Sequence, residues 1–216
     1  PMAKNLLKAK YELKAFNRTI KKAEPLKEFG AEISQSIKEV VSNNDIIITM
    51  LTDDVSVDQV MEDKDFLENI KPGATVIDMS SVKPETAKIH GENLKSKNIN
   101  YLDAPVSGGT IGAEEATLAI MVGGEQKVFD DNLDILKVMG NPTLVGPLTS
   151  GQVSKLANQI IVSLTIGAVA EAVTLCEKAG ADPKKMIKAL AGGWADSKIL
   201  QTHGYRMIDK DFTPKG

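Results

Sequence analysis

The chain of 216 residues is short of several groups that carry chemistry in other proteins. It has one cysteine, Cys176, so neither an internal disulfide nor a CxxC pair can form, and a reducing compartment suits it. Its two histidines, His90 and His203, have no partner ligands at metal spacing; no metal is expected, and each ring is expected to be solvated. The single tryptophan, Trp194, is expected to pack. Positive charge is not in excess: 26 Lys+Arg against 29 Asp+Glu give a net charge of -3. That balance removes the electrostatic case for binding nucleic acid or a membrane surface. The longest run without charge, residues 156–170, contains Asn158 and Gln159. It falls short of the roughly 20 apolar residues that a membrane helix needs. The opening PMAKNLL is not a secretory signal, so a cytoplasmic location is expected.

What remains is an ordinary globular composition. The 42% hydrophobic and 25% charged residues are enough for a buried core and argue against disorder. Two runs rich in β-branched residues, 45–51 and 74–79, suit strands buried on both faces of a parallel sheet. Residues 11–16, 100–104, 117–122 and 143–145 read as further strands. Helices are expected over 2–9, 24–29 (closed by Gly30), 34–41 (with Ser34 as N-cap), 55–62, 84–96 and 128–138. Alternating strands and helices imply a doubly wound, mostly parallel α/β sheet. After residue 150 the strand signal stops, and one long apolar helix runs to Gly180, followed by helices over 183–191 and 197–208. The expected domains are therefore 1–150, α/β, and 151–216, all-α.

Three segments could carry chemistry. Ser107, Gly108 and Gly109 follow the 100–104 strand, and ligands bind at the carboxyl ends of strands in open α/β sheets. A hydroxyl and two glycines can cradle an anion, although a plain turn explains the same residues. Lys155, Asn158 and Gln159 are spaced i, i+3 and i+4 on the long helix. The lysine either snorkels or donates a proton in a cleft. Asn17, Arg18 and Thr19 follow the first strand, where a dinucleotide-binding sheet meets the adenine ribose and an arginine suits a 2′-phosphate.

Taken together these segments resemble the β-hydroxyacid dehydrogenase family, and the resemblance covers essentially the whole chain. DAPVSGGTIGAEEATL at 103–118 is similar to the family's substrate-binding signature, with Ala116 where glycine is usual. GQVSKLAN at 151–158 is similar to its catalytic-lysine segment. Asp78, Met79, Ser80 and Ser81 resemble its cofactor loop, and 192–214 its pattern after the long helix. The resemblance implies a Rossmann-like sheet followed by a helical domain. It implies Lys155 as proton donor, with Ser107, Gly108 and Gly109 holding a substrate carboxylate and Asn158 and Gln159 orienting the substrate. Asn17, Arg18, Thr19, Met50, Leu51 and Ser81 would line the cofactor, NADP by the NRT sequence, with NAD possible. The family's opening strand and GxGxMG loop would precede Pro1 and further helices would follow Gly216, so the chain reads as truncated at both ends.

The activity so implied is reversible hydride transfer to a small semialdehyde carboxylate, as in 2-hydroxy-3-oxopropionate reductase, or in 3-hydroxyisobutyrate dehydrogenase with NAD. A non-catalytic dinucleotide-binding module is the alternative of another class, and Lys155 argues against it. A decarboxylase resembling 6-phosphogluconate dehydrogenase ranks last, because no cluster of basic residues for a sugar phosphate is evident. The apolar long helix suggests a homo-oligomer.

Overall fold

The computed structural model describes residues 1–213. Residues 214–216 lie outside that range, so the segment 192–214 is followed only to Thr213. The chain divides into two compact units, Pro1–Lys155 and Leu156–Gly216.

The first unit is α/β. Its strands are β1 (Lys14–Ala15), β2 (Glu32–Ile33), β3 (Ile46–Thr49), β4 (Thr75–Asp78), β5 (Asn100–Asp103), β6 (Val106–Ser107), β7 (Leu118–Gly123) and β8 (Gly140–Gly146). β1 and β2 form a small parallel sheet of their own. The larger sheet runs β3-β4-β5-β7-β6, with β8 also paired to β7. β3, β4 and β5 are parallel and in register. β7 is antiparallel to both β5 and β6, a reversal within the mostly parallel sheet.

The helices are α1 (Met2–Lys8), α2 (Ile37–Val41), α3 (Asp54–Met61), α4 (Lys64–Asn69), α5 (Pro84–Ser96), α6 (Gly109–Glu114), α7 (Gln126–Asp131) and α8 (Leu133–Lys137). Alternate side chains of the sheet enter two separate cores. Ile77 and Leu102 pack with α7 and α8 residues, and Val76 and Tyr101 with residues of α3, α4 and α5. A strand apolar on both faces is what such a doubly covered sheet requires. Aspartates punctuate the helix starts: Asp53 accepts from Ser56 N at 2.8 Å for α3, and Asp63 caps α4. α5 begins with Pro84 at its first position, and Asp54 Oδ1 accepts from Lys83 N and Thr86 Oγ1 (2.9 and 2.7 Å).

Several expectations are corrected. The cap of α2 is Ser36, which accepts from Glu39 N, while Ser34 is buried behind β2. The helix expected over 128–138 breaks at Asn132 into α7 and α8. His90 is not solvated: it is buried, with Nε2 2.7 Å from Asp58 Oδ1. Trp194 does not pack and is fully exposed.

The long helix α9 (Ser150–Lys178) begins in the first unit and continues through the second. By length and composition alone it is apolar enough to cross a membrane, and most of it is exposed. This corrects the expectation that no stretch is long enough. That expectation stopped at Glu171, and the apolar residues resume immediately beyond it. The helix ends before Gly180, whose φ of +75° suits a residue without a Cβ. The second unit adds α10 (Pro183–Leu190), a π-helical turn at Leu200–Gly204, and α11 (Tyr205–Ile208). Its core gathers Val169, Val173, Ile187 and Leu200.

Candidate active site

In-register pairing sets Thr49, Asp78 and Asp103 side by side at the carboxyl ends of β3, β4 and β5. Asp78 is buried and accepts from Thr49 Oγ1 (2.8 Å), Ser80 N (3.1 Å) and Tyr101 Oη (3.2 Å). Burial pushes its carboxyl above the usual range despite these bonds. Burial, and then the Asp78 and Asp103 carboxylates, push the Tyr101 phenol well up. Ser80 Oγ accepts from Leu51 N at 2.9 Å, which ties the loop after β3 to the loop after β4. Of the expected cofactor residues, this brings Met50 and Leu51 beside Ser81; Met50 and Ser81 are exposed and Leu51 is half-buried.

Asn17, Arg18 and Thr19 stand exposed at the end of β1, where Asn17 Oδ1 accepts from Thr19 N at 2.8 Å. Arg18 makes no salt bridge among the described residues. It is near enough to Asp53 to add to the lowering of that carboxyl, which comes first from Ser56. An unpaired guanidinium at a strand's carboxyl edge fits a phosphorylated ribose.

The start of α9 is locked to the same edge. Asp103 is fully buried; Oδ1 accepts from Thr149 N (2.8 Å) and Oδ2 from Gln152 N (2.9 Å). A carboxylate from a distant strand thus caps the helix, where the macrodipole favours negative charge. Burial pushes the Asp103 carboxyl up to about 6, against the pull of the two N–H donors. Gly123 faces Asp103 across the β5–β7 pair, and a Cβ there would meet Gly151 N at 2.8 Å.

Lys155 lies one turn along. Its Nζ donates to the carbonyl of Val106 at 2.8 Å, which sets the ammonium beside Ser107. Partial burial lowers its pKa. Ser107 ends β6, Gly108 (φ +142°) caps α6, and Gly109 (φ +62°) opens it. Only glycine adopts such φ values readily, and the first N–H groups of a helix have no intrahelical partner. The first unit therefore joins a hydroxyl, a glycine backbone and an ammonium, donors suited to a small carboxylate and to an oxygen gaining negative charge. Asn158 and Gln159 lie in the next turn of α9, in the second unit, and bond to each other (Asn158 Nδ2 to Gln159 Oε1, 2.9 Å).

The reading from sequence set Ser80 in the cofactor loop and Asp103 and Gln152 inside the two motifs, but gave none of the three a role of its own. The one local signal was polarity in otherwise apolar surroundings: Asp103 closing a buried strand, and Gln152 three residues before Lys155.

Residues 1–149 match the NAD-binding domain of 6-phosphogluconate dehydrogenase, and residues 149–216 the NAD-binding domain of NADP-dependent 3-hydroxyisobutyrate dehydrogenase. The chain is 44% identical over 218 residues to 2-hydroxy-3-oxopropionate reductase of Escherichia coli K12, covering 99% of this chain and 74% of that protein. It is 39% identical to an uncharacterized oxidoreductase of Bacillus subtilis, covering 99% of this chain and 75% of that one. Among solved structures, 3-hydroxyisobutyrate dehydrogenase of Mycobacterium tuberculosis with L-serine superposes with a TM-score of 0.86 at 30% identity, over 94% of this chain and 69% of that one.

Proposed function

The chain belongs to the β-hydroxyacid dehydrogenase family, NAD(P)-dependent oxidoreductases, and from that membership we propose that it reduces 2-hydroxy-3-oxopropionate with NADPH. The observation that carries the reading is Lys155: a half-buried ammonium, 2.8 Å from the Val106 carbonyl, next to Ser107.

Asn17, Arg18, Thr19, Met50, Leu51 and Ser81 would hold the dinucleotide, and its nicotinamide would supply or accept the hydride. Ser107 and the Gly108–Gly109 backbone hold the substrate carboxylate. Lys155 donates to the carbonyl oxygen, stabilises the negative charge that builds there, and protonates it. Its lowered pKa eases that proton transfer. Asn158 and Gln159 orient the substrate. L-serine, which accompanies the mycobacterial relative, carries both a carboxylate and a hydroxymethyl group, the two handles this reading requires.

The test is turnover of the full chain on a panel of small semialdehydes with NADPH and with NADH. The reading expects 2-hydroxy-3-oxopropionate with NADPH to give the highest kcat/KM, and Arg18→Ala to erode the cofactor preference. Equal turnover with NADH overturns the NADP assignment, and a preference for methylmalonate semialdehyde moves the substrate to that of 3-hydroxyisobutyrate dehydrogenases.

We also propose that the chain works as a homo-oligomer. The support is the exposed apolar surface of α9, with Ile160, Ile161 and Leu164 in contact with solvent. Sedimentation at micromolar concentration decides it, and a monomer is the adverse result.

A further inference from the structure

Gln152 is among the largest fully buried side chains of the chain, and it is polar. A buried carboxamide costs free energy unless both of its ends are bonded, and an apolar side chain of the same shape would avoid that cost. Both ends are bonded here, and to one loop. Nε2 donates to the Ser80 carbonyl at 2.8 Å, and Oε1 accepts from Val82 N at 3.1 Å. The two bonds bracket Ser81, the exposed residue that faces the cofactor in the reading above. The loop residue Ser80 is itself bonded to Leu51 N and to Asp78, so Gln152 is joined to the loops after both β3 and β4.

The backbone around Gln152 has little freedom to shift. Its N–H is held by Asp103 Oδ2, and a Cβ on the neighbouring Gly151 would meet that same oxygen at 2.8 Å. Lys155 is three residues on, within the same turn of helix. A rotation or slide of the helix start that moved Lys155 would break the bonds of Gln152, and a displacement of residues 80–82 would pull on the helix.

We propose that Gln152 is a positioning residue that fixes Lys155 to the cofactor loop at 80–82, so that the loop and the proton donor move as one body. The proposal rests on Lys155 being the proton donor and adds to that reading a link between cofactor side and substrate side. Occupancy of the cofactor site is thereby felt at the lysine without any contact between them.

Gln152→Met keeps the length and the unbranched shape and removes both bonds. In the full chain it should lower kcat about 10- to 100-fold, the size of effect that follows a small misplacement of a catalytic group. NADPH affinity should stay close to wild type. The alkaline limb of kcat should move to higher pH, because a lysine released from its half-buried place recovers hydration. A filler residue would not move that limb. Lys155→Ala is measured beside it. If Lys155→Ala loses turnover while Gln152→Met keeps both the wild-type kcat and the wild-type limb, the link is overturned and the proton donor stands. If Lys155→Ala keeps turnover, the proton donor falls and the link with it. Should Gln152→Met fail to fold, amide hydrogen exchange on the unaltered chain decides. NADPH should slow exchange at Val82 and at the helix start, residues 152–155, together. Protection at Val82 alone would overturn the proposal.

Discussion

One helix, α9, lives two lives. In its first turns Gly151 and Gln152 are buried, and a methyl group on Gly151 would run into Met121, Asp103 and the Asp103 carboxylate. Farther along, Ile160, Ile161 and Leu164 are 61%, 65% and 70% exposed, and a Cβ on Gly167 would meet nothing within 4 Å. The buried start is the more polar part and the exposed continuation the more apolar. The difference separates two parts of one helix: one end is held by bonds to the buried edge of the sheet, and the other offers apolar side chains to solvent. Composition alone would reverse their burial; the bonds to Asp103, Ser80 and Val82 are what bury the polar end.

The sharpest way to break the contrast is at the held end. Lys155→Ala should lower kcat by roughly 10²–10⁴-fold, the range for loss of a general acid. NADPH binding should persist, since Lys155 contacts Val106 and not the loops after β3 and β4. Lys155→Arg should rescue poorly, because a guanidinium does not release its proton at useful pH. Steady-state kinetics with a fluorescence titration of NADPH checks all three. Near-wild-type turnover of Lys155→Ala would remove Lys155 as the proton donor, whereas a wild-type chain that binds NADPH and turns over no semialdehyde would leave a binding module as the better account.

Gly151→Ala is the structural counterpart. The added methyl has backbone on two sides, Met121 O and Asp103 O, and neither can swing away. Overpacking of this kind should destabilise the first unit by about 2–4 kcal/mol. Chemical denaturation followed by circular dichroism measures it, and an unchanged midpoint would mean that the helix start is less tightly held than the geometry shows.

Asp103 gives the held end a pH signature. Its folded-state pKa of about 6 lies above the ordinary 3.8, so the native chain holds this proton more tightly than the unfolded chain does. Its contribution to stability is therefore full below about pH 3.8 and is lost as pH rises through about 6, at most about 3 kcal/mol in all. Asp103→Asn should remove that segment, so stability plotted against pH between 4 and 6 falls less steeply, or rises more, than in wild type. Identical slopes would show that the carboxyl titrates normally.

How much of this was legible beforehand follows from the range of the interactions. β3 and β4 were visible because a β-branched apolar run marks a strand covered on both faces, and α5 was placed to the residue because Pro84 fixes its first turn. β2 and β6 have two residues each, too few to show a period of two. The reversal of β7 is not written in its own residues. It follows from the connection after Asp103, where β6 and the short α6 take up the chain and β7 returns against β6. The roles of Gln152 and Ser80 depend on partners some 70 residues apart, which local patterns do not report. Lys155 and Ser107 stand out through their motifs; the bonds that tie the helix start to Asp103 and to residues 80–82 are visible only in the fold.

The smallest effect expected is the most direct test of the exposed half. Gly167 sits in the interior of α9 with space around its Cα, and its backbone needs no left-handed φ. Glycine in such a place loses more chain entropy on folding than alanine and leaves helix backbone open to water. Gly167→Ala should therefore stabilise the second unit by about 1 kcal/mol, opposite in sign to Gly151→Ala sixteen positions earlier. The comparison uses one element and one substitution, with the interior propensity gain at Gly167 set against the close backbone contacts at Gly151 in the first turn. If a partner copy covers this stretch closely, the methyl will clash in the assembly. Gly167→Ala would then weaken association in sedimentation at micromolar concentration, while still raising the denaturation midpoint of the dissociated chain. A loss of stability in the dilute chain itself would contradict the open space at Gly167 and remove the contrast between the two halves of the helix.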